Sequence, residues 1–292
     1  MKKILITGSN SYIGTSFKKW VSQYHDEYLV DRISLRDDSW KKKSFKGYDV
    51  ILHLAAIVHI KENDINRYFE INRDLTLEVA VKAKSDGVKH FIFLSTMGVY
   101  CTDAGYITMD TVPRPKTPYA KSKYEAEKLL LKVEDNTFKV AILRPPIVYG
   151  KDCGGNYPRL ANLALKLPIF PDIDNMRSMI FIDNLCEFIR LTIDKRLSGI
   201  YFPQNKDYVN ITELVRLIRL AHGKKLKVTK LFNWPIIIGL RLSETFRKVF
   251  GSFMYDKRMQ GGPVNFDTNY LNYEMLSFEE SIMVTESKEK LQ

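Results

Sequence analysis

The fold is decided by the stretch Ile4-Leu5-Ile6-Thr7-Gly8-Ser9-Asn10-Ser11-Tyr12-Ile13-Gly14, in which a short apolar run leads through a turn into an amphipathic segment. The apolar run predicts a buried strand, and the apolar spacing from Tyr12 to Tyr24 predicts a helix. A tight glycine turn between a strand and a helix points the first helical amides at a phosphate group. The sequence therefore predicts a parallel α/β sheet whose first turn binds a pyrophosphate through Gly8, Asn10, Ser11, Tyr12, Ile13 and Gly14.

Position 11 of this turn departs from the three-glycine form of such a loop, because the chain has Ser11 where a third glycine would stand. Serine is small and its hydroxyl can cap the N-terminus of a helix. We therefore expect the backbone still to approach the phosphate at this point, although with less space than glycine would leave.

Strands and helices alternate along residues 3–150. Nearly all-apolar runs predict buried parallel strands, and such a sheet needs helices on both faces. The predicted strands are Tyr28 to Leu35, Val50 to Ala55, Phe91 to Leu94 and Val140 to Leu143, with helices from about Asp64 to Ser85 and from Tyr119 to about Leu131. This order predicts a doubly wound, Rossmann-type α/β domain over residues 1–150. A smaller C-terminal substrate lobe follows over residues 151–292, and a strand near Ile200 to Pro203 could return to the first sheet.

Composition narrows the class of protein. The chain has 292 residues, 45% of them hydrophobic and 27% charged, and no apolar run approaches a membrane span, so we expect a cytoplasmic globular protein. The net charge of +11 is spread along the chain without alternating aromatic and basic residues, so we expect no nucleic-acid partner. The three cysteines and five histidines have no ligand spacing, so we expect neither a disulfide nor a metal.

The region between the phosphate loop and the strand at Val50 is too short for two strand-helix units, so one crossover is expected to be shortened or lost. An acid at the end of the second strand normally binds the adenosine ribose hydroxyls and excludes a 2′-phosphate. Asp31 or Asp37 would have this effect, whereas Ser34 with Arg36 would accept the phosphate. The choice between the two dinucleotides stays open at this stage.

Tyr119 and Lys123 lie four residues apart in a predicted helix, and so share one face. An ammonium roughly 4 to 6 Å from a phenol contributes about 3 to 4 kcal/mol at an effective dielectric near 20, which corresponds to two or three pKa units. The pair therefore predicts a proton-transfer catalyst.

Together these features resemble the extended short-chain dehydrogenase/reductase family, in its NAD-dependent epimerase/dehydratase branch. The motifs that carry the resemblance are the Gly8 to Gly14 loop, His53 to Ala56, Asn72, Leu94 to Thr96 with Val99 and Tyr100, Tyr119 to Lys123, Leu143 to Pro146, and Arg177 with Ser178. The resemblance implies NAD or NADP as cofactor, a nucleotide-diphosphate sugar as substrate, with UDP the most frequent nucleotide in this branch, and a homodimer.

The resemblance also assigns roles to single residues. Thr96 would hydrogen-bond the reacting sugar oxygen, Tyr119 would exchange its proton, and Lys123 would lower the phenol pKa and hold the nicotinamide ribose. The cofactor site would further include Arg36, Asp37, Leu54, Ala55, Ala56, Asn72, Ser95 and Pro146, and the substrate would also contact Asn156, Arg159 and Arg177.

The two residues after Thr96 narrow the reaction type. Dehydratases of this branch carry an acid pair there, whereas this chain has Met97 and Gly98, so dehydration is set aside. Two activities remain: a C4 epimerase that works through a 4-keto sugar, and a 4-ketoreductase of surface-polysaccharide sugar synthesis. A non-catalytic cofactor sensor is a more distant alternative, because it would be expected to lose Tyr119 or Lys123.

The segment from Ile236 to Phe250 is apolar with interspersed arginine and lysine. It could rest on a membrane surface, but we favour an ordinary helix that covers the C-terminal lobe.

Overall fold

The computed structural model describes residues 1–58, 64–101, 105–231, 233–243, 247, 250–259, 272–273 and 275–287. The strands are β1 (Lys2–Thr7), β2 (Tyr28–Ile33), β3 (Val50–His53), β4 (His90–Leu94), β5 (Tyr106–Ile107), β6 (Lys139–Leu143), β7 (Ile147–Tyr149), β8 (Ile169–Pro171), β9 (Met179–Phe181), β10 (Gly199–Tyr201), β11 (Lys227–Thr229) and β12 (Met254–Tyr255). The helices are α1 (Tyr12–Val21), α2 (Asn66–Phe69), α3 (Leu75–Ser85), α4 (Pro118–Val133), α5 (Asn156–Lys166), α6 (Ile182–Asp194), α7 (Ile211–Ala221), α8 (Asn233–Leu242) and α9 (Phe278–Glu286).

A six-stranded parallel sheet in the order β2-β1-β3-β4-β6-β10 forms the centre of the molecule. Side chains of each inner strand alternate between two apolar clusters. Ile4 and Ile6 of β1 pack on the side of α1 and α6, whereas Leu5 packs on the side of α3 and α4. Since both faces are covered by helices, nearly every position of these strands is apolar. The predicted doubly wound α/β fold is confirmed.

The connection from β2 to β3 contains no α-helix. It holds a short 3₁₀ helix, Asp38–Lys42, whose Trp40 is buried together with Phe45 in the cluster under α3. Strand β3 then pairs with β1 on the side opposite β2, so β2 is the edge strand of the sheet within the described residues. This arrangement confirms the shortened crossover.

Strand β10 lies beside β6, so a strand from the C-terminal half completes the central sheet, close to the position expected from the sequence. The predicted strand from Val50 is shorter than expected, because the chain leaves the sheet after His53 and passes beneath Gly8.

Helices α5, α7 and α9 pack on one another beyond the sheet. The division of the chain at residue 150 stays a prediction, and residues 260–271 and 288–292 of the expected substrate lobe lie outside the described residues.

Among the described helices, none combines the length and the apolar character needed to cross a membrane.

Candidate active site

The phosphate loop is fixed by close backbone packing. Gly8 has a φ of +84°, and a Cβ atom at this position would lie 3.0 Å from the backbone nitrogen of Ala55. Its amide donates to the carbonyl of Ile33 (3.1 Å), while its carbonyl accepts from the amide of Ser11 (2.9 Å). The loop therefore lies where β1, β2 and β3 end, and only glycine fits its first position without strain.

Ser11 caps α1, because its Oγ accepts a hydrogen bond from the Gly14 amide (3.3 Å). A Cβ atom at Gly14 would lie 3.1 Å from Ile6 and 3.2 Å from Leu54 side-chain carbons, so the first turn of the helix packs directly on the sheet. The amides at this helix end form the usual cradle for a pyrophosphate. The geometry thus fits the dinucleotide expected from the sequence.

The tip of β2 carries an arginine that the sequence analysis missed. Arg32 donates from Nη1 to the Ser9 carbonyl (3.1 Å) and to Thr15 Oγ1 (3.3 Å), which brings its guanidinium to the phosphate loop. Strand alternation could have indicated this, because Arg32 is paired with Ile6 and faces the α1 side.

The two acids near the same tip are engaged elsewhere. Asp31 accepts from the hydroxyl of Tyr48 (2.8 Å), and Asp37 caps the 3₁₀ helix by accepting from the Ser39 amide (2.9 Å). The hydrogen bonds from Ser39 hold the pKa of the Asp37 carboxyl below its usual value. Arg36 is exposed and donates its amide to Ser34 Oγ (3.3 Å).

The remaining predicted cofactor residues lie at the carboxyl ends of neighbouring strands, which share one edge of a parallel sheet. Asn10 is exposed in the loop, Tyr12 and Ile13 open α1, Leu54, Ala55 and Ala56 follow β3, Ser95 follows β4, and Pro146 follows β6.

Asn72 ties two parts of the site together. Its Oδ1 accepts from the Ile57 amide (2.9 Å), and its Nδ2 donates to the Ile57 carbonyl (3.0 Å) and to Ser122 Oγ (3.1 Å). Ser122 in turn donates to the Tyr119 carbonyl (2.8 Å). Asn72 lies in a π-helical turn, Glu70–Asp74, a feature often found at functional sites. We therefore assign Asn72 to positioning: it holds the segment after β3 against the first turn of α4.

Lys123 is almost fully buried, and its Nζ lies 4.0 Å from the centre of the Phe93 ring. Burial lowers the pKa of Lys123 to about 7, and burial raises the pKa of Tyr119 to about 12. In the protein alone burial thus outweighs the expected effect of the lysine on the phenol. Tyr119 is held as a neutral proton donor, and it needs additional positive charge beside it before it can act as a base.

Thr96 lies where β4 ends and caps the 3₁₀ helix Met97–Tyr100, since its Oγ1 accepts from the Gly98 amide (3.0 Å). A Cβ atom at Gly98 would lie 3.3 Å from Thr96 Oγ1 and 4.0 Å from the Ala120 Cβ. The hydroxyl therefore lies near Ala120 in the first turn of α4, the residue that follows Tyr119, and its own proton can be donated to a further acceptor.

A buried ion pair beneath α4 was not assigned from the sequence. Arg144 donates from Nε to Glu127 Oε1 (3.0 Å) and from Nη2 to Oε2 (2.6 Å), and its Nη1 donates to the hydroxyl of Tyr100 (2.6 Å). Ser95 Oγ also donates to Glu127, so this predicted cofactor residue is part of the ion-pair network. The sequence could have indicated that Glu127 lies near the site, because Tyr119, Lys123 and Glu127 recur every four residues and so share one face of the helix.

The predicted substrate arginine donates to two backbone carbonyls beyond the end of α8. Arg177 donates from Nε to the Gly251 carbonyl (2.9 Å) and from Nη2 to the Arg247 carbonyl (3.3 Å), and burial lowers the pKa of its guanidinium. Asn156 and Arg159 are exposed in the first turn of α5.

This fold and site define an NAD(P)-dependent enzyme of the extended short-chain dehydrogenase/reductase type. The chain belongs to the NAD dependent epimerase/dehydratase family, whose model matches residues 4–202. Its relatives include nucleotide-sugar epimerases and reductases.

Three comparisons illustrate the similarity. The chain is 29% identical to a UDP-glucose 4-epimerase of Vibrio cholerae, with 89% of this chain and 86% of that protein covered. It is 24% identical to an N-acetyl-alpha-D-glucosaminyl-diphospho-ditrans,octacis-undecaprenol 4-epimerase of Escherichia coli O157:H7, with 76% and 73% covered. The structure of RMD from Pseudomonas aeruginosa complexed with NADPH shares the fold at a TM-score of 0.74 and 18% identity, with 98% of each chain covered.

Proposed function

We propose that the protein is a C4 epimerase of a nucleotide-diphosphate sugar, most simply a UDP-sugar, working through a 4-keto intermediate. The observation that carries this proposal is the position of three groups on neighbouring elements: Thr96 at the end of β4, Tyr119 in the first turn of α4, and buried Lys123 one turn further, with α4 in contact with the 3₁₀ helix that Thr96 caps. These are the groups needed to orient an alcohol, exchange its proton and hold the adjoining ribose.

NAD(P) supplies the hydride acceptor and donor in this chemistry. The chain's own residues handle the proton. Thr96 donates a hydrogen bond to the C4 oxygen, and Tyr119 takes the proton from that oxygen as the C4–H bond breaks and the ketone forms. After the sugar has turned over, Tyr119 returns the proton while hydride adds to the other face of C4. The raised pKa of Tyr119 suits the donating half of this cycle, and charged Lys123 favours the accepting half.

The proposed cofactor contacts are those that the loop geometry supports. Backbone amides of the Gly8 to Gly14 turn would bind the pyrophosphate, with Arg32 beside them. Lys123 would donate to the nicotinamide ribose. We further propose that Arg177, with Asn156 and Arg159 of α5, binds the sugar diphosphate, and that the enzyme is a homodimer.

A 4-ketoreductase is the second candidate, and the tip of β2 favours it. Asp31 and Asp37 are both engaged in other hydrogen bonds, whereas Arg32 and Arg36 lie at the tip. A positively charged tip suits the 2′-phosphate of NADPH, the usual cofactor of a reductive enzyme.

A substrate carried on a polyprenyl diphosphate, as in the Escherichia coli relative, is a second substrate class. It is supported by the position of Arg177, which donates to the Gly251 and Arg247 carbonyls beyond the end of α8, a helix with an exposed apolar face. A diphosphate bound near Arg177 would thus lie beside an apolar surface.

The deciding experiment incubates purified protein with UDP-glucose and with UDP-N-acetylglucosamine, without added cofactor, and follows the C4 epimer by chromatography. Turnover supports an epimerase with retained cofactor. Consumption of NADPH on a 4-keto sugar nucleotide, without epimer formation, supports the reductase. Failure of both, with sugar nucleotides and with a polyprenyl-diphosphate sugar, contradicts the proposed function.

A further inference from the structure

Helix α8 and the chain before it form an exposed apolar surface that the proposed reaction does not use. Its large apolar side chains are Leu231, Trp234, Ile238 and Leu242, with exposed fractions of 79%, 68%, 46% and 81%. We call these four residues, with the neighbouring basic side chains, the α8 surface. Large side chains exposed together in this way usually mark an interaction site.

The helix has two apolar faces. Trp234, Ile238 and Leu242 recur every four residues and so form one stripe along the solvent side. Ile236 is buried in the core, and Leu240 packs against the same core. The helix therefore covers the C-terminal part of the molecule, as the sequence analysis favoured, but this role accounts only for its inner face.

Two further exposed apolar side chains lie on the strand pair to which the start of α8 is tied. Asn233 Nδ2 donates to the Asp172 carbonyl (2.7 Å), which fixes the start of α8 to the end of β8. On that pair, Ile169 of β8 and Val228 of β11 are also exposed. The apolar area is thus larger than one helix face.

Basic side chains predominate on this surface, although Asp172 and Asp174 line the pocket beside α8. Residues 224–243 contain Lys224, Lys225, Lys227, Lys230 and Arg241 and no acidic residue. The nearest described carboxylate partner is Asp172, whose Oδ2 lies 3.9 Å from Lys230 Nζ in an exposed pair. The chain as a whole carries a net charge of +11.

The combination of exposed apolar and basic side chains indicates which kind of partner fits the α8 surface. A second copy of the chain would bring the same positive charge against itself, so self-association is disfavoured. Nucleic acid would match the charge but would leave the leucines and the isoleucine in water. An anionic lipid surface matches both features, because tryptophan and aliphatic side chains enter the interface while lysine and arginine extend to the headgroups.

We propose that the α8 surface docks on an anionic phospholipid bilayer, with Leu231, Trp234, Ile238 and Leu242 inserted among the headgroups and the flanking basic residues on the lipid phosphates. The attachment is peripheral. It places Gly251, whose carbonyl accepts from Arg177, close to the bilayer, since Gly251 lines the same pocket as Ile236 and Leu240 of α8. The proposal stands whether or not the substrate is lipid-linked.

The test is co-sedimentation of the full-length protein with two vesicle preparations: phosphatidylcholine alone, and equal parts phosphatidylcholine and phosphatidylglycerol. We expect the protein to pellet with the anionic vesicles at low salt, to be released by added salt, and to stay in the supernatant with phosphatidylcholine. The double variant Trp234→Ser with Ile238→Ser is expected to bind at least about tenfold more weakly. Both side chains are exposed, so its melting temperature should be unchanged.

Val81→Ser is the matched control, because Val81 is also an exposed aliphatic residue on a helix, α3, away from this surface. It should bind vesicles as the parent does. The proposal is overturned if the parent stays in the supernatant with anionic vesicles at low salt, or if the double variant pellets as well as the parent. It is also overturned if the double variant loses only self-association, measured by light scattering, while vesicle binding persists. Epimerase activity on a soluble UDP-sugar is measured separately and should be the same for all three proteins.

Discussion

The carboxylate of Glu127 and the guanidinium of Arg144 form a bidentate ion pair, with contacts of 3.0 and 2.6 Å, between α4 and the end of β6. Both side chains are almost fully buried. A buried pair of this kind contributes less to stability than its attraction suggests, because both charges lose their hydration. Its position one helical turn after Lys123 gives it a second effect: Glu127 raises the pKa of the lysine against the opposing effect of burial.

Glu127→Gln should therefore lower the pKa of Lys123 further below its value of about 7. If the reaction needs the charged lysine, activity is lost as pH rises through this pKa. We expect the alkaline limb of the pH profile of kcat to move down by about one pH unit. Glu125→Gln is the control, because Glu125 lies in the same helix but pairs with Arg73 at the surface. An unshifted profile in a folded Glu127→Gln protein contradicts this role.

Lys123 should reduce the stability of the folded protein at neutral and acid pH. Its folded pKa of about 7 lies below the unfolded value near 10.4, so the unfolded chain binds more protons between these values. The contribution of this group to stability therefore rises with pH across that window. Lys123→Met should raise the free energy of unfolding at pH 6 by on the order of 1–3 kcal/mol and abolish turnover. Urea unfolding of Lys123→Met and of the exposed control Lys121→Met checks this; equal effects would refute it.

The separation of interacting residues along the sequence decides how much of this site could be predicted. The strands, the Gly8 turn and the Tyr119 helix are encoded in neighbouring residues, through apolar runs, a turn glycine and helical spacing, and the structure has all three. The end of β3 was placed two residues late, because close packing of Gly8 on Ala55, more than forty positions away, ends the strand at His53.

Contacts between distant residues could not be predicted in the same way. Glu127 and Arg144 come together only when α4 packs on the sheet, and each alone has the pattern of an ordinary surface charge. Asn72 was expected to support the cofactor site. The neighbouring residues do not predict its π-helical turn, however, and so they do not predict its bonds to Ile57 and Ser122. The same holds for Arg177, whose bonds to the Gly251 and Arg247 carbonyls join residues about seventy positions apart.

Tyr119→Phe removes the proton donor while keeping the ring and its edge contact with Tyr68. Turnover is expected to fall about 10²–10⁴-fold, the usual contribution of a positioned acid-base group. Cofactor binding, followed by fluorescence, and the melting temperature should stay as in the parent. Tyr124→Phe on the same helix should keep full activity. Substantial turnover by Tyr119→Phe would contradict the proposed chemistry.

Gly8→Ala should weaken cofactor binding and stability for two separable reasons. The φ of +84° strains any alanine by roughly 1 kcal/mol, and the new Cβ would also contact the Ala55 backbone at 3.0 Å. Gly47→Ala isolates the first effect, since Gly47 has the same φ of +84° with open space around it. We expect Gly47→Ala to lower only the melting temperature, and Gly8→Ala to lower it further and release cofactor. Equal behaviour of the two variants would show that the loop is not a tight cradle.

The arginines at the tip of β2 predict a preference for the phosphorylated dinucleotide. Asp31 and Asp37 each accept a hydrogen bond from within the protein, and Arg32 and Arg36 add two positive charges near the same tip. NADPH should therefore bind more tightly than NADH, and Arg36→Ala should weaken NADPH about tenfold while leaving NADH nearly unchanged. Arg216→Ala, a surface arginine paired with Glu213, is the control. Titration of nicotinamide fluorescence measures the binding constants of NADPH and NADH for the parent and both variants. An epimerase retains its dinucleotide, whereas a reductase exchanges NADPH in each turnover. NADPH that binds tightly but still exchanges would therefore shift the assignment toward the 4-ketoreductase. A preference for NADH would mean that another group neutralises the arginines.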